Sequence, residues 1–311
     1  MRVIAVTGAT GFIGSAVCDA LRSRDLSVIP LVRSAAHRLL NARVVDDIGP
    51  ETNWQEALGG VTCVVHCAAL VHQMKRGYTS TLQDYLRVNT EGTLRLAEEA
   101  VKVGVKRFVF ISSVKVMGEL SAAGHPFSVY DVPSPVDPYG VSKWEAEKRL
   151  AEVGQRTGLE VVVIRPPLVY GPGVGANFHQ LMQWIRRGVP LPFGAIKNQR
   201  SFVSLSNLTD LISRCVDHPA AIGQCFFVSD GRDLSTPVLV SHLARSMGKT
   251  PRLLSVPTPV LHFLGTVFNR SDQVARLTGN LQVDIAHTQR RLAWTPACSV
   301  EAGMALVAKD L

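Results

Sequence analysis

Near its start the chain runs from an apolar, β-branched stretch, Val3-Ile4-Ala5-Val6, directly into Thr7-Gly8-Ala9-Thr10-Gly11-Phe12-Ile13-Gly14, and then into a helical pattern that reaches about Arg24. Glycines at intervals of three let the backbone turn tightly, approach a pyrophosphate and pack the helix close to the strand. The N–H groups that open such a helix aim at phosphate. A strand, turn and helix joined in this way belong at the centre of a parallel sheet, and the rest of the sequence supports one.

Four more β-branched runs alternate with helical patterns up to Arg165: Val28-Ile29-Pro30-Leu31-Val32, Cys63-Val64-Val65-His66, Phe108-Val109-Phe110-Ile111 and Val161-Val162-Val163-Ile164. Continuous apolar strands are the mark of a sheet covered on both faces. The stretch Leu82 to Val103 has helical spacing and Gly104 closes it. The expectation is an α/β fold, a doubly wound Rossmann-type parallel sheet over residues 1–165. Residues 166–311 open on Pro166, Pro167, Gly171, Pro172, Gly173 and Gly175 and then change texture. They are expected to form a smaller α/β substrate lobe, with some chain returning to the sheet.

The chain has 311 residues, 46% hydrophobic and 19% charged, with a formal charge of +8. Its Lys and Arg are scattered, so a basic cleft for an acidic small molecule is favoured over nucleic acid. Six cysteines without metal-like pairing read as core residues of a reducing, cytoplasmic compartment. No secretory signal and no run of about 18 apolar residues stands out. The apolar stretch Val256 to Phe268 carries Pro257, Pro259 and His262, and reads as a packed helix rather than a membrane anchor. The nine His are dispersed, so no metal is expected; His72 falls near the predicted cleft.

Tyr139-Gly140-Val141-Ser142-Lys143 sets a phenol and an ammonium four residues apart where a helix begins, with Asp137 to cap it and Pro138 suited to its first turn. A nearby ammonium favours a phenolate and lowers the tyrosine pKa, which suits proton exchange with an alcohol or ketone. Ser113, at the carboxyl end of the fifth strand, precedes this helix at the edge where open α/β sheets bind ligands.

In Gly8/Gly11/Gly14, Asp47-Ile48, His66-Cys67-Ala68-Ala69, Val88-Asn89, Ser112-Ser113, Tyr139/Lys143 and Arg165-Pro166 the chain resembles the extended short-chain dehydrogenase/reductase family, specifically its nucleotide-sugar epimerases, dehydratases and ketoreductases. The resemblance covers nearly the whole chain. It implies Ser113, Tyr139 and Lys143 as the catalytic group, with Lys143 also holding the nicotinamide ribose. It implies a dinucleotide held by Gly8, Gly11, Phe12, Ile13, Gly14, Asp47, Ile48, Ala68, Ala69, Asn89, Ser112 and Pro166. The tip of the second strand offers Arg33 in place of an acidic residue. An Arg there can pair with the 2′-phosphate of NADP or stack on adenine, so NADP(H) is expected, with NAD(H) possible.

The same resemblance implies a UDP-sugar substrate contacted by Asn177, Phe193 and Arg200, and often a homodimer. Ser112-Ser113-Val114-Lys115-Val116-Met117-Gly118 and the Asp230-Gly231 segment are similar to bacterial polysaccharide enzymes, where Lys115 could meet the sugar or a phosphate. The expected activity is a 4-ketoreductase of a UDP-4-keto-6-deoxy-N-acetylhexosamine in O-antigen synthesis. A UDP-hexose 4-epimerase is the alternative, and a non-catalytic NAD(P)-sensing protein the remote one.

Overall fold

The computed structural model describes residues 2–34, 39–71 and 80–309, apart from the side chains of Ala176 and Asn177. The strands in chain order are β1 Val3–Thr7, β2 Ser27–Val32, β3 Arg43–Val44, β4 Cys63–His66, β5 Arg107–Ile111, β6 Glu160–Arg165, β7 Leu168–Tyr170, β8 Phe202–Ser204 and β9 Cys225–Phe227. Seven of them form one sheet in the order β3-β2-β1-β4-β5-β6-β9, with every pairing parallel. The expected doubly wound parallel sheet is therefore present. β7 and β8 form a separate parallel pair.

The helices are α1 Phe12–Arg22, α2 Leu82–Tyr85, α3 Gly92–Lys102, α4 Pro138–Thr157, α5 Ala176–Arg186, α6 Leu205–Cys215, α7 Thr236–Ser246, α8 Thr258–Val267, α9 Ser271–Thr278, α10 Ala286–Leu292 and α11 Val300–Ala308. Residues Leu86–Glu91 form a π-helical turn that joins α2 to α3. The stretch read as a single helix thus carries a wider turn in its middle, which rotates the side chains of Asn89 and Thr90 inward.

Alternation along the strands divides the core. Ile4 and Val6 of β1 face a layer containing Val17 and Leu21 of α1 and Leu208 and Leu211 of α6. Ala5 faces the other layer, with Leu96 and Ala100 of α3 and Leu150 and Val153 of α4. Strands buried on both sides have no solvent face to keep polar, hence their unbroken apolar runs. A third apolar cluster joins α5, α7 and α11 through Phe178, Met182, Val240, Leu243 and Met304.

The chain lays down β1, β2 and β3 in one direction, then returns to place β4 on the other side of β1. That reversal opens a crevice beyond the carboxyl ends of β1 and β4, the position where folds of this kind receive ligands. One expectation needs correction: the helix in Val256 to Phe268 packs by one side only. Leu261 and Gly265 are its buried residues, and Phe263 and Phe268 are each 68% exposed. Among the described residues no helix is long and apolar enough to cross a membrane.

Candidate active site

A cleft of about 1160 Å³ occupies the switch crevice and reaches across the ends of β5 and β6. The glycine turn forms its floor. Gly8 lies in the left-handed region at φ +65°, and a Cβ there would meet the Ala68 nitrogen at 2.9 Å. A Cβ on Gly14 would sit 2.1 Å from the Gly8 carbonyl oxygen, so this crossing of helix and turn admits only glycine. Gly11 caps α1 with no side-chain hydrogen bond. The amino end of α1 is therefore presented to the cleft by backbone alone, which suits the diphosphate of a dinucleotide.

Most of the expected cofactor positions line this one space. Phe12 and Ile13 come from α1, Arg33 follows β2, and Asp47 and Ile48 face it from the next loop. Ala68 and Ala69 follow β4, Ser112 follows β5 and Pro166 follows β6. Asn89 does not line the cleft. Its side chain accepts from the Leu70 N–H at 2.7 Å and donates to the Leu70 carbonyl and the Ser142 hydroxyl at 3.0 Å each. Being buried in the π-turn, it braces the cleft wall at Leu70 against α4.

Ser113, Tyr139 and Lys143 converge on the same cleft. Asp137 caps α4 by accepting from the Gly140 N–H at 2.6 Å, and Pro138 begins the helix, which sets Tyr139 in its first turn. Ser113, two residues past β5, is in extended geometry and caps the short turn Val114–Val116, its hydroxyl accepting from the Lys115 N–H at 3.2 Å. Burial raises the phenol pKa of Tyr139, the Asp137 carboxylate raises it further, and a hydrogen bond with Ser113 opposes them. Lys143 is 1% exposed. Its ammonium donates to the Ile111 carbonyl at 2.9 Å and lies 4.4 Å from the Phe110 ring centre. Burial pulls its pKa down to about 8.

The expectation that Lys143 lowers the Tyr139 pKa is therefore not met in this arrangement. The lysine is turned toward β5, and a buried phenol beside a carboxylate stays protonated. What the site holds is a neutral phenol, a neighbouring hydroxyl and a buried lysine whose ammonium is more readily deprotonated than an exposed one.

Beneath these groups lies a buried ion pair. Arg165 and Glu147 are each 5% exposed at the side chain, and the guanidinium meets the carboxylate at 2.6 Å. Arg165 Nε also donates to both carboxylate oxygens, at 3.1 and 3.2 Å. The Ser112 hydroxyl donates to the same carboxylate, so it faces α4 even though Ser112 lines the cleft. One cluster thus ties the end of β6, the end of β5 and the helix carrying Tyr139 and Lys143. Glu147 escaped the sequence reading, although its place four residues beyond Lys143, on the same helical face, was a usable signal. His66 is locked similarly, between the Thr7 hydroxyl at 2.7 Å and the Thr93 hydroxyl at 2.9 Å.

The expected substrate residues are not gathered at the cleft. The Lys115 ammonium pairs with Asp137 and, at 3.7 Å, with Glu119. A carboxylate so close outcompetes an uncharged sugar. Arg200 donates to the backbone carbonyls of Arg276 and Gly279 at 2.7 and 3.1 Å. Phe193 is buried in the third core cluster. The side chain of Asn177 lies outside the described residues, as does His72. Among the described residues no group of His, Cys, Asp or Glu is placed to hold a metal ion. Leu70, Val71, Arg87 and Val169 line the cleft without having been singled out in the sequence.

Residues 4–227 match the NAD dependent epimerase/dehydratase family, and the chain belongs to it. It is 46% identical to the UDP-glucose 4-epimerase of Vibrio cholerae, across 97% of this chain and 93% of that protein. Among solved structures, MoeE5 in complex with UDP-glucose and NAD is 26% identical, with a TM-score of 0.76 over 99% of this chain and 98% of that one. The UDP-glucuronic acid 4-epimerase from Bacillus cereus in complex with NAD, at 23% identity, shares the fold with a TM-score of 0.78 over 99% and 98% of the two chains. The chain is thus an enzyme of this NAD-dependent family.

Proposed function

We propose that the protein is an NAD(H)-dependent 4-epimerase of a UDP-hexose. The observation that carries this reading is the 46% identity, nearly end to end, with a UDP-glucose 4-epimerase, and the Ser113, Tyr139 and Lys143 cleft agrees with it. When bound, the nicotinamide would take up and return the hydrogen at C4 of the sugar. The glycine turn and the amino end of α1 would hold the diphosphate of that cofactor. Tyr139 moves the proton of the C4 hydroxyl through its phenol oxygen, in both directions, because epimerisation begins and ends with an alcohol. Ser113 orients the C4 oxygen and shares its hydrogen bond with Tyr139. Lys143 supplies positive charge as the phenol gives up its proton. The ribose of the cofactor is its expected partner, and reaching it would turn the ammonium from the Ile111 carbonyl toward the cleft.

One ion pair bears on the cofactor. Arg33, which suggested NADP, is paired at 3.0 Å with Asp47 on the cleft rim. A carboxylate already on that guanidinium repels a 2′-phosphate, which supports NAD over NADP. The ketoreductase of a 4-keto sugar, drawn from the Ser112 to Gly118 and Asp230-Gly231 segments with modest support from Arg33, becomes the second reading. The experiment that separates them supplies the purified protein with UDP-galactose and UDP-N-acetylgalactosamine, and with a UDP-4-keto-6-deoxy-N-acetylhexosamine plus NADH or NADPH. Interconversion of C4 epimers without net loss of reduced cofactor is the expected result. Stoichiometric oxidation of reduced cofactor with the keto sugar alone would overturn the epimerase reading.

A further inference from the structure

The helix α8 wears its apolar stripe on the outside. Val260, Phe263, Leu264, Val267 and Phe268 recur at the spacing of one helical face, and they are 44, 68, 41, 60 and 68% exposed. The opposite face is narrow. Leu261 enters the third core cluster, and Gly265 lies so close to α9 that a Cβ on it would meet Val274 Cγ2 at 2.8 Å. Leu254, just before the helix, and Leu277 on α9 widen the patch with exposures of 54 and 37%. A surface helix ordinarily turns such a stripe inward, so an outward stripe holding two phenylalanines marks a surface that meets something apolar.

The surrounding charge selects the partner. Arg252 stands two residues before Leu254, Arg270 two residues beyond Phe268, and Arg276 lies on α9 beside Leu277, against the acid Asp272 on the same helix. All three cations are exposed. We infer that α8 and α9 form a docking face for an anionic lipid bilayer, with Phe263, Val267 and Phe268 entering the acyl boundary and the flanking Arg252 and Arg270 meeting lipid phosphates. A second copy of this chain fits less well. A two-fold contact over α8 would set Arg270 against its own symmetry mate, with Asp272 as the nearest acid in the chain and Glu119 already engaged by Arg276. Arg276 of α9 pairs at 2.7 Å with Glu119, which ties this face to the loop that follows β5.

The test is co-sedimentation of the full chain with vesicles of phosphatidylglycerol and phosphatidylethanolamine, compared with vesicles of phosphatidylcholine alone. The protein is expected to pellet with the anionic vesicles and to be released by salt. The double substitution Phe263→Ser/Phe268→Ser is expected to weaken that binding by at least about tenfold, since two large apolar groups leave the interface. Arg270→Glu is expected to weaken it several-fold. Both variants should keep the melting temperature and the turnover of a soluble UDP-sugar, because neither touches the cleft. Vesicle binding by the double variant equal to that of the original chain would overturn the inference. So would a failure of the original chain to bind anionic vesicles, or a dimer in sedimentation velocity that the double substitution dissolves.

Discussion

Replacing Arg165 by Met offers the sharpest test of how the site is held. The guanidinium engages the Glu147 carboxylate through three contacts of 2.6 to 3.2 Å, and both side chains are 5% exposed. It also lies 5.7 Å from the Trp144 ring centre and 5.8 Å from that of Phe227. Methionine fills much of the same volume between those rings but leaves the carboxylate buried, with the Ser112 hydroxyl as its remaining donor. Removing one partner of a buried ion pair costs about 3–5 kcal/mol, because the other charge stays desolvated. At about 2 °C per kcal/mol for a chain of this size, the melting temperature should fall by about 6–10 °C. The double variant Glu147→Leu/Arg165→Met removes both charges, and should recover most of that loss. Thermal unfolding followed by circular dichroism, with urea titration of the parent, Arg165→Met, Glu147→Leu and the double variant, reads both quantities. A single-variant loss under about 1 kcal/mol, or a double variant whose loss is the sum of the two single losses, would refute the buried pair as the clamp between β6, β5 and α4.

Gly14→Ala should abolish high-affinity dinucleotide binding. Its methyl would stand 2.1 Å from the Gly8 carbonyl oxygen, and a loss of at least about tenfold in NAD affinity is expected by calorimetry. Asp47→Asn releases Arg33 from its exposed partner, and should raise affinity for NADP relative to NAD by roughly threefold to tenfold; an unchanged ratio would remove the pair from cofactor choice. His66 is held neutral in the fold, with burial first and Lys143 second pulling its pKa down to about 3. The unfolded chain, with a His pKa near 6.5, takes up that proton first. Stability is therefore present above pH 6.5 and is lost as pH falls toward 3, by about 2 kcal/mol at pH 5. The melting temperature should drop from pH 7 to pH 5, and His66→Asn should flatten that drop. At the alkaline end, Cys63, Cys67, Cys215 and Cys225 are pushed up to about 12 by burial. Their unfolded thiols ionise near 8.5, so stability should decline as pH rises from about 9 toward 12.

The fold was legible wherever burial left its pattern in short range. Val28 to Val32 and Val161 to Ile164 read as strands because a sheet covered on both sides needs apolar residues at every position. The glycine turn was legible because no other residue fits where Gly14 crosses Gly8. The strand β7 was not: at three residues it is too short for a periodicity of its own. The π-turn at Leu86–Glu91 was hidden for a different reason, since one widened turn barely disturbs the helical spacing on either side. Tyr139, Lys143 and Ser113 were found because a helix start and a strand end place them. The fates of Lys115 and Arg200 depended on Asp137 and on the carbonyls of Arg276 and Gly279, partners 22 to 79 residues away that no local pattern names. The stripe on α8 shows the same boundary. Spacing reveals that a helix has an apolar face, but tertiary packing decides where it points.

The central claim, that the C4 hydrogen leaves and returns within one active site, has a direct test. UDP-galactose deuterated at C4 is incubated in ordinary water with the protein and NAD, and the product is analysed by mass spectrometry and proton NMR. The account predicts UDP-glucose that keeps its deuterium at C4, with Tyr139→Phe slowing the conversion by at least about a hundredfold. Deuterium washed out to solvent, or conversion undiminished in Tyr139→Phe, would contradict it.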